Sequence, residues 1–154
     1  MRLIVIAALA ALAATPANAH DCQMSKADVA GVERSVRTLF DALARDDRAA
    51  YQRAITTDFW SFDGGERMSA TRLFDLVEGA HKKGRVINWS LGPIAVRGGC
   101  DMAWASWVND GAAGTKAAMV PRRWLESAVL RRSPTGWRVE FLHSTSVKPE
   151  ALQP

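Results

Sequence analysis

Between residues 25 and 44 apolar side chains recur every three or four positions, at Val29, Val32, Val36, Leu39, Phe40 and Leu43. This spacing predicts an amphipathic helix, and Ser25 three residues ahead of Asp28 forms a capping box at its start. Asp46-Asp47 interrupts the pattern, after which Tyr51, Ala54 and Ile55 mark a short second helix. The aromatic run from Thr57 to Phe62 reads as a strand, closed by the turn residues Asp63-Gly64-Gly65. A third helix begins at the N-cap Ser69, buries Leu73, Phe74, Leu76, Val77 and Ala80, and stops at Gly84 after two lysines that suit its C-terminal end. From Arg85 onward the period is two, which predicts strands at 86–97, 101–109, 122–131 and 136–146. Gly98-Gly99 and the segment 133–136 are short enough for hairpins, and Asp110 to Pro121 reads as a longer connection of small residues. Pro93 has no ladder donor, so the first of these strands should bend or bulge at Gly92-Pro93. Three N-terminal helices followed by a meander predict an α+β domain in which the helices cover one face of a strongly curved, antiparallel-rich sheet.

Residues 1–19 differ from the rest. One charge at Arg2, an unbroken apolar run from Leu3 to Ala14 and Ala17-Asn18-Ala19 as a small-x-small cleavage site predict a signal peptide, and hence an exported product, periplasmic or secreted. No later segment approaches the roughly 18 apolar residues a spanning helix needs. The expected organisation is a leader at 1–19, one domain at 20–147 and a polar tail at 148–154. Without Arg2 the chain carries 19 basic against 16 acidic residues, scattered in short clusters, so nucleic acid is not an expected partner. In an oxidising compartment Cys22 and Cys100 can form one disulfide or remain thiols, since sequence does not give the Cα separation the bond demands.

The chemistry-bearing residues are few. The six Trp all fall on predicted strands, where each fills a core or lines a pocket. On the last strand the alternation places Trp137, Val139, Phe141 and His143 on one inward face, which puts an imidazole beside an apolar cavity, as an acid or base or as a core histidine. Arg122-Arg123 beside Trp124, with Glu126 two positions on, forms an anion-binding edge or a solvated strand face. Three histidines without paired spacing and two cysteines imply no metal, and the lack of glycine-rich phosphate loops implies no cofactor.

Two strings, ALARDDRAAYQRAITTDFWSFDGGERMS and WLESAVLRRSPTGWRVEFLHSTSV, together with the order of elements, resemble the nuclear transport factor 2-like superfamily, in particular its ketosteroid-isomerase-like and SnoaL-like members. The resemblance spans roughly 29–147 and implies a cone with a pocket at its open end, and dimerisation through the sheet. It also implies that Asp63 stands where the ketosteroid isomerases carry their general base. Their helix-one tyrosine is replaced by Leu39, and their second acidic donor has no evident match, which speaks against steroid isomerisation. The expected function is binding of a small, mostly apolar molecule, with Trp60, Trp104, Trp124, Phe141, Tyr51 and Arg123 as candidate contacts. The alternatives are a proton-transfer enzyme using Asp63 and His143 (isomerase, dehydratase or cyclase type) and a dimeric protein-interaction module.

Overall fold

The computed structural model describes residues 22–147; the predicted leader and the tail lie outside them. The chain runs α1 (Lys26–Ala44), α2 (Arg48–Ala54), β1 (Ile55–Asp63), β2 (Glu66–Ser69), α3 (Ala70–Lys82), β3 (Arg85–Asn88), β4 (Ala95–Gly98), β5 (Met102–Thr115), β6 (Ala118–Ser133) and β7 (Gly136–Val147). Each helix starts where a side chain can satisfy a free amide. Ser25 and Asp28 form the reciprocal capping box of α1, Asp47 caps α2 and Ser69 caps α3.

The strands form one curled, mixed sheet in the order β2-β1-β7-β6-β5-β3, with β4 beside β3 along the same edge of β5. All pairs are antiparallel except β1 with β7, which is parallel. β1 turns into β2 through Gly64 and Gly65, both at positive φ (58° and 82°), as a two-residue hairpin of this hand requires. The helices lie in the hollow of the sheet. Val32, Val36, Leu39, Phe40 and Leu43 of α1 and Leu73, Phe74 and Val77 of α3 pack on Ala103, Ala105 and Trp107 of β5, Ala128 and Leu130 of β6, and Val139 and Leu142 of β7 in one continuous core.

Besides Ile55, which opens β1 instead of continuing α2, and Leu76, which is left exposed on α3, three larger details depart from the pattern in the sequence. The predicted strand 86–97 is two short strands, interrupted around Gly92-Pro93 where the bend was expected. Residues 110–121 are not a long connection: β5 and β6 run on and pair to the end of the hairpin at Thr115 and Ala118. Small residues carry no alternation, and they are needed here because a β-carbon on Gly111 would collide with the Asn88 carbonyl. Pro121 is tolerated because β7 pairs with β6 only from Arg123 onward, leaving that stretch an edge.

The third departure decides which residues reach the interior. Along β7, Val139 pairs with Leu130 but Phe141 pairs with Val129, so Glu140 is an extra residue, a β-bulge. The alternation changes phase there. Trp137 and Val139 point inward before the bulge, and Leu142 and Ser144 after it. Phe141 and His143 are consequently turned to the outer face, the reverse of the uninterrupted alternation.

Cys22 and Cys100 are paired in a disulfide, with Cα atoms 5.3 Å apart, which fastens the segment before α1 to the β4–β5 turn.

Candidate functional site

Between the C-terminal half of α1, α3 and the hollow of the sheet lies a cavity of about 250 Å³. Phe40 and Leu43 form one wall, Leu73, Leu76, Val77 and Ala80 of α3 a second, and Ile87, Trp89 and Trp124 close the sheet side. Its polar groups are Asp63, Glu126 and Ser144, from the neighbouring strands β1, β6 and β7, and none of the described lining residues is basic.

Glu126 is 5% exposed. Trp107 Nε1 (2.5 Å) and Asn109 Nδ2 (3.2 Å) donate to its Oε2, and Ser144 Oγ donates to Oε1 at 3.1 Å. Desolvation nonetheless dominates, and with the Asp63 carboxylate near by it pushes the Glu126 carboxyl up from 4.5 to about 7, against the three hydrogen bonds. Burial also raises the Asp63 carboxyl, opposed by the Gly64 amide and by His143. The cavity thus holds two carboxyl groups in an apolar, aromatic setting, a combination that favours retention of a proton and disfavours a ligand that enters already charged as an anion.

Asp63 and Trp124 are the two sequence-derived candidates that line this cavity. His143 is on the opposite face of the sheet, beside Phe62 (ring centroids 6.2 Å) and within 3.0 Å of the Thr145 hydroxyl; it and Asp63 do not share a compartment. Trp60 and Phe141 lie on that outer face too, their ring centroids 4.4 Å apart and their planes tilted by 44°, with the Arg67 guanidinium over Trp60. Trp104, 44% exposed, is also outward. Tyr51 is 2% exposed in the core, against Phe59 and Phe74, with its hydroxyl donating to the Ala70 carbonyl at 3.1 Å. Arg123 is on the outer face, ion-paired with Asp110.

No protein-family profile and no curated protein matches this sequence. Solved structures do match. A member of the NTF2-like family from Streptomyces avermitilis superposes with a TM-score of 0.71 at 16% identity, over 80% of this chain and 99% of the other. A ketosteroid isomerase-like protein from Erwinia carotovora atroseptica gives 0.65 at 19% identity, over 81% and 100%. The chain has the nuclear transport factor 2-like fold. The same fold, also described as cystatin-like, is found in a protein from Novosphingobium aromaticivorans (TM-score 0.67, 18% identity, 83% and 90% covered). The CaMKII hub of S. rosetta shares it as well (0.65, 17%, 77% and 95%).

Within this nuclear transport factor 2-like cone, Glu126 is the residue that sequence reasoning left at the margin, grouped with Arg122 and Arg123 as an edge. The available signal was parity. Glu126 is an even number of residues from Ala128 and Leu130, so it shares their inward face, whereas Arg123 takes the other.

Proposed function

We propose that this chain binds a small, mostly apolar molecule in the cavity between α1, α3 and the sheet. The observation that carries this reading is a cavity of about 250 Å³ walled by Phe40, Trp89, Trp124 and aliphatic side chains, with Asp63 and Glu126 as its polar contacts. Such a site suits a compact ring system bearing one hydrogen-bonding group, because a few convergent polar groups in an apolar pocket fix orientation while burial provides affinity. 1-Naphthol is a suitable probe. It should quench tryptophan fluorescence saturably, and Ala80→Trp, which fills the space from α3, should abolish binding without lowering the melting temperature. Equal binding by that variant would overturn the proposal.

The paired carboxyls favour a second reading, proton transfer, with Glu126 in the role expected of His143. Asp63 would take a proton beside a carbonyl while Glu126, protonated up to about pH 7, donates to the developing oxyanion, since the charge must be stabilised where it forms. Solvent deuterium exchange into cyclohexanone, followed by NMR, tests this; Asp63→Asn should reduce it to the uncatalysed rate, and an unchanged rate removes the reading.

Association through the sheet is favoured by the outer face, which exposes Phe62, Met102, Trp104, Val108 and Leu125 together. Sedimentation should give a dimer, and Trp104→Lys with Leu125→Lys should give a monomer.

A further inference from the structure

On the far side of α1 from the cavity, a groove of about 470 Å³ separates α1 and α2 from the β6–β7 hairpin, and no described residue lines both spaces. We propose that this groove is a second binding site, for a small organic anion held by Arg34, Arg53 and the indole N–H of Trp137.

The indole is the first reason. Trp137 is 7% exposed, and its Nε1 is buried without a hydrogen-bond partner. A buried donor left unmade is costly, and native structures keep few of them without a use. Gly31 opens the space beside it. A β-carbon there would stand 3.0 Å from Trp137 Cδ1, 3.6 Å from Nε1 and 3.9 Å from Arg34 Nη2, so a side chain would press on the indole edge and crowd the guanidinium next to it.

Charge is the second. Among the described residues, three arginines and one acid, Asp28, line the groove. Asp28 is already engaged by Ser25 and Arg132, whose guanidinium also lies over the Trp137 ring. Among the described residues, neither Arg34 nor Arg53 has a carboxylate within ion-pair distance. Guanidinium and indole groups donate and do not accept, so their common partner must be an acceptor, and two uncompensated positive charges select an anionic one. Size is the third: a bare inorganic ion would leave most of the groove empty, whereas its alanine-lined floor (Ala27, Ala50, Ala54) suits a carbon skeleton.

The test is a titration of the 15N-labelled, disulfide-intact protein with benzoate and with phenyl phosphate, reading the Trp137 indole N–H signal, assigned by its absence in Trp137→Phe. Benzyl alcohol and sodium chloride at matched ionic strength are the controls. The expected result is a saturable shift with at least one of the two anions and none with the controls; the tighter of the two identifies carboxylate or phosphate as the preferred group. Arg34→Gln with Arg53→Gln, both at exposed positions, should weaken binding at least about tenfold, the loss expected for charge-assisted contacts, while Glu126→Gln leaves it unchanged. A linear shift, a shift reproduced by chloride, or saturable binding that survives loss of both arginines would overturn the proposal.

Discussion

Glu126→Gln should make the protein more stable at alkaline pH and leave it nearly unchanged in acid. Gln keeps the shape of the side chain, its Oε1 can accept from Trp107 and Asn109 as Glu126 Oε2 does, and its Nε2 can donate to the Ser144 hydroxyl. What it removes is the ionisation. The Glu126 carboxyl titrates at about 7 in the fold against 4.5 for the ordinary group, so the native state holds a proton that the unfolded chain has released. Stability from this group is fully present below pH 4.5, falls as pH rises, and is gone above about 7. With about 1.36 kcal/mol for each pH unit separating the folded from the unfolded value, this amounts to about 3 kcal/mol, or about 10 °C in melting temperature for a domain of this size. Urea unfolding followed by tryptophan fluorescence at pH 4.5, 6, 7 and 8.5 measures it, with the disulfide kept intact. The difference between variant and wild type cancels Asp28, which is lowered to about 2 and loses its contribution only in stronger acid, whereas Asp63, whose raised carboxyl works in the same direction, is coupled to Glu126 and its response is part of the measured change. A difference that does not change with pH, or a variant less stable than wild type at pH 8.5, would refute the reasoning.

Further expectations concern the frame around the cavity. Tyr51→Phe removes the hydroxyl that donates to the Ala70 carbonyl and should cost about 1 kcal/mol in urea unfolding, with 1-naphthol affinity unchanged, because the ring serves the core. Replacing both Cys22 and Cys100 by Ser opens a loop of 78 residues; the denaturation midpoint should fall by the equivalent of about 4 kcal/mol, and intact mass should rise by about 2 Da on reduction of the wild type. Gly111→Ala places a methyl group against the Asn88 carbonyl and should destabilise by about 2 kcal/mol or more, seen as a lower melting temperature.

Much of the architecture was legible because it rests on local signals. The capping box at Ser25 and Asp28, the stop at Gly84, the Gly64-Gly65 turn and the two helical stripes are short-range features, and they appear where the pattern puts them, save that Leu76 of the second stripe is 42% exposed. What was not legible depends on partners distant in sequence. The stretch 110–121 reads as a loop because glycine and alanine show no alternation, yet they are demanded by β3 and β6 passing close by. The site was half visible. Asp63 marks a strand end by its Gly-Gly neighbours, and Trp124 stands out by size, but placing His143 inward assumed an uninterrupted strand. A bulge has no composition of its own, and Glu140 looks like any charged strand residue until Arg131 is seen to hold it.

That bulge also makes the chemistry of the cone a matter of counting. From residue 141 on, the two faces of β7 differ sharply: Leu142 and Ser144 on one, Phe141, His143 and Thr145 on the other. Inserting one residue after Glu140, with the bulge kept, would turn the second set into the interior, exchanging a leucine and a hydroxyl for an imidazole and an aromatic ring while leaving every existing amino acid unchanged, whereas deleting Glu140 would only close the bulge and keep Leu142 and Ser144 inside. A one-codon insertion at this position is therefore a larger step in pocket chemistry than most substitutions, and it offers protein engineers a single switch between a carboxyl-lined interior and one that also contains a histidine.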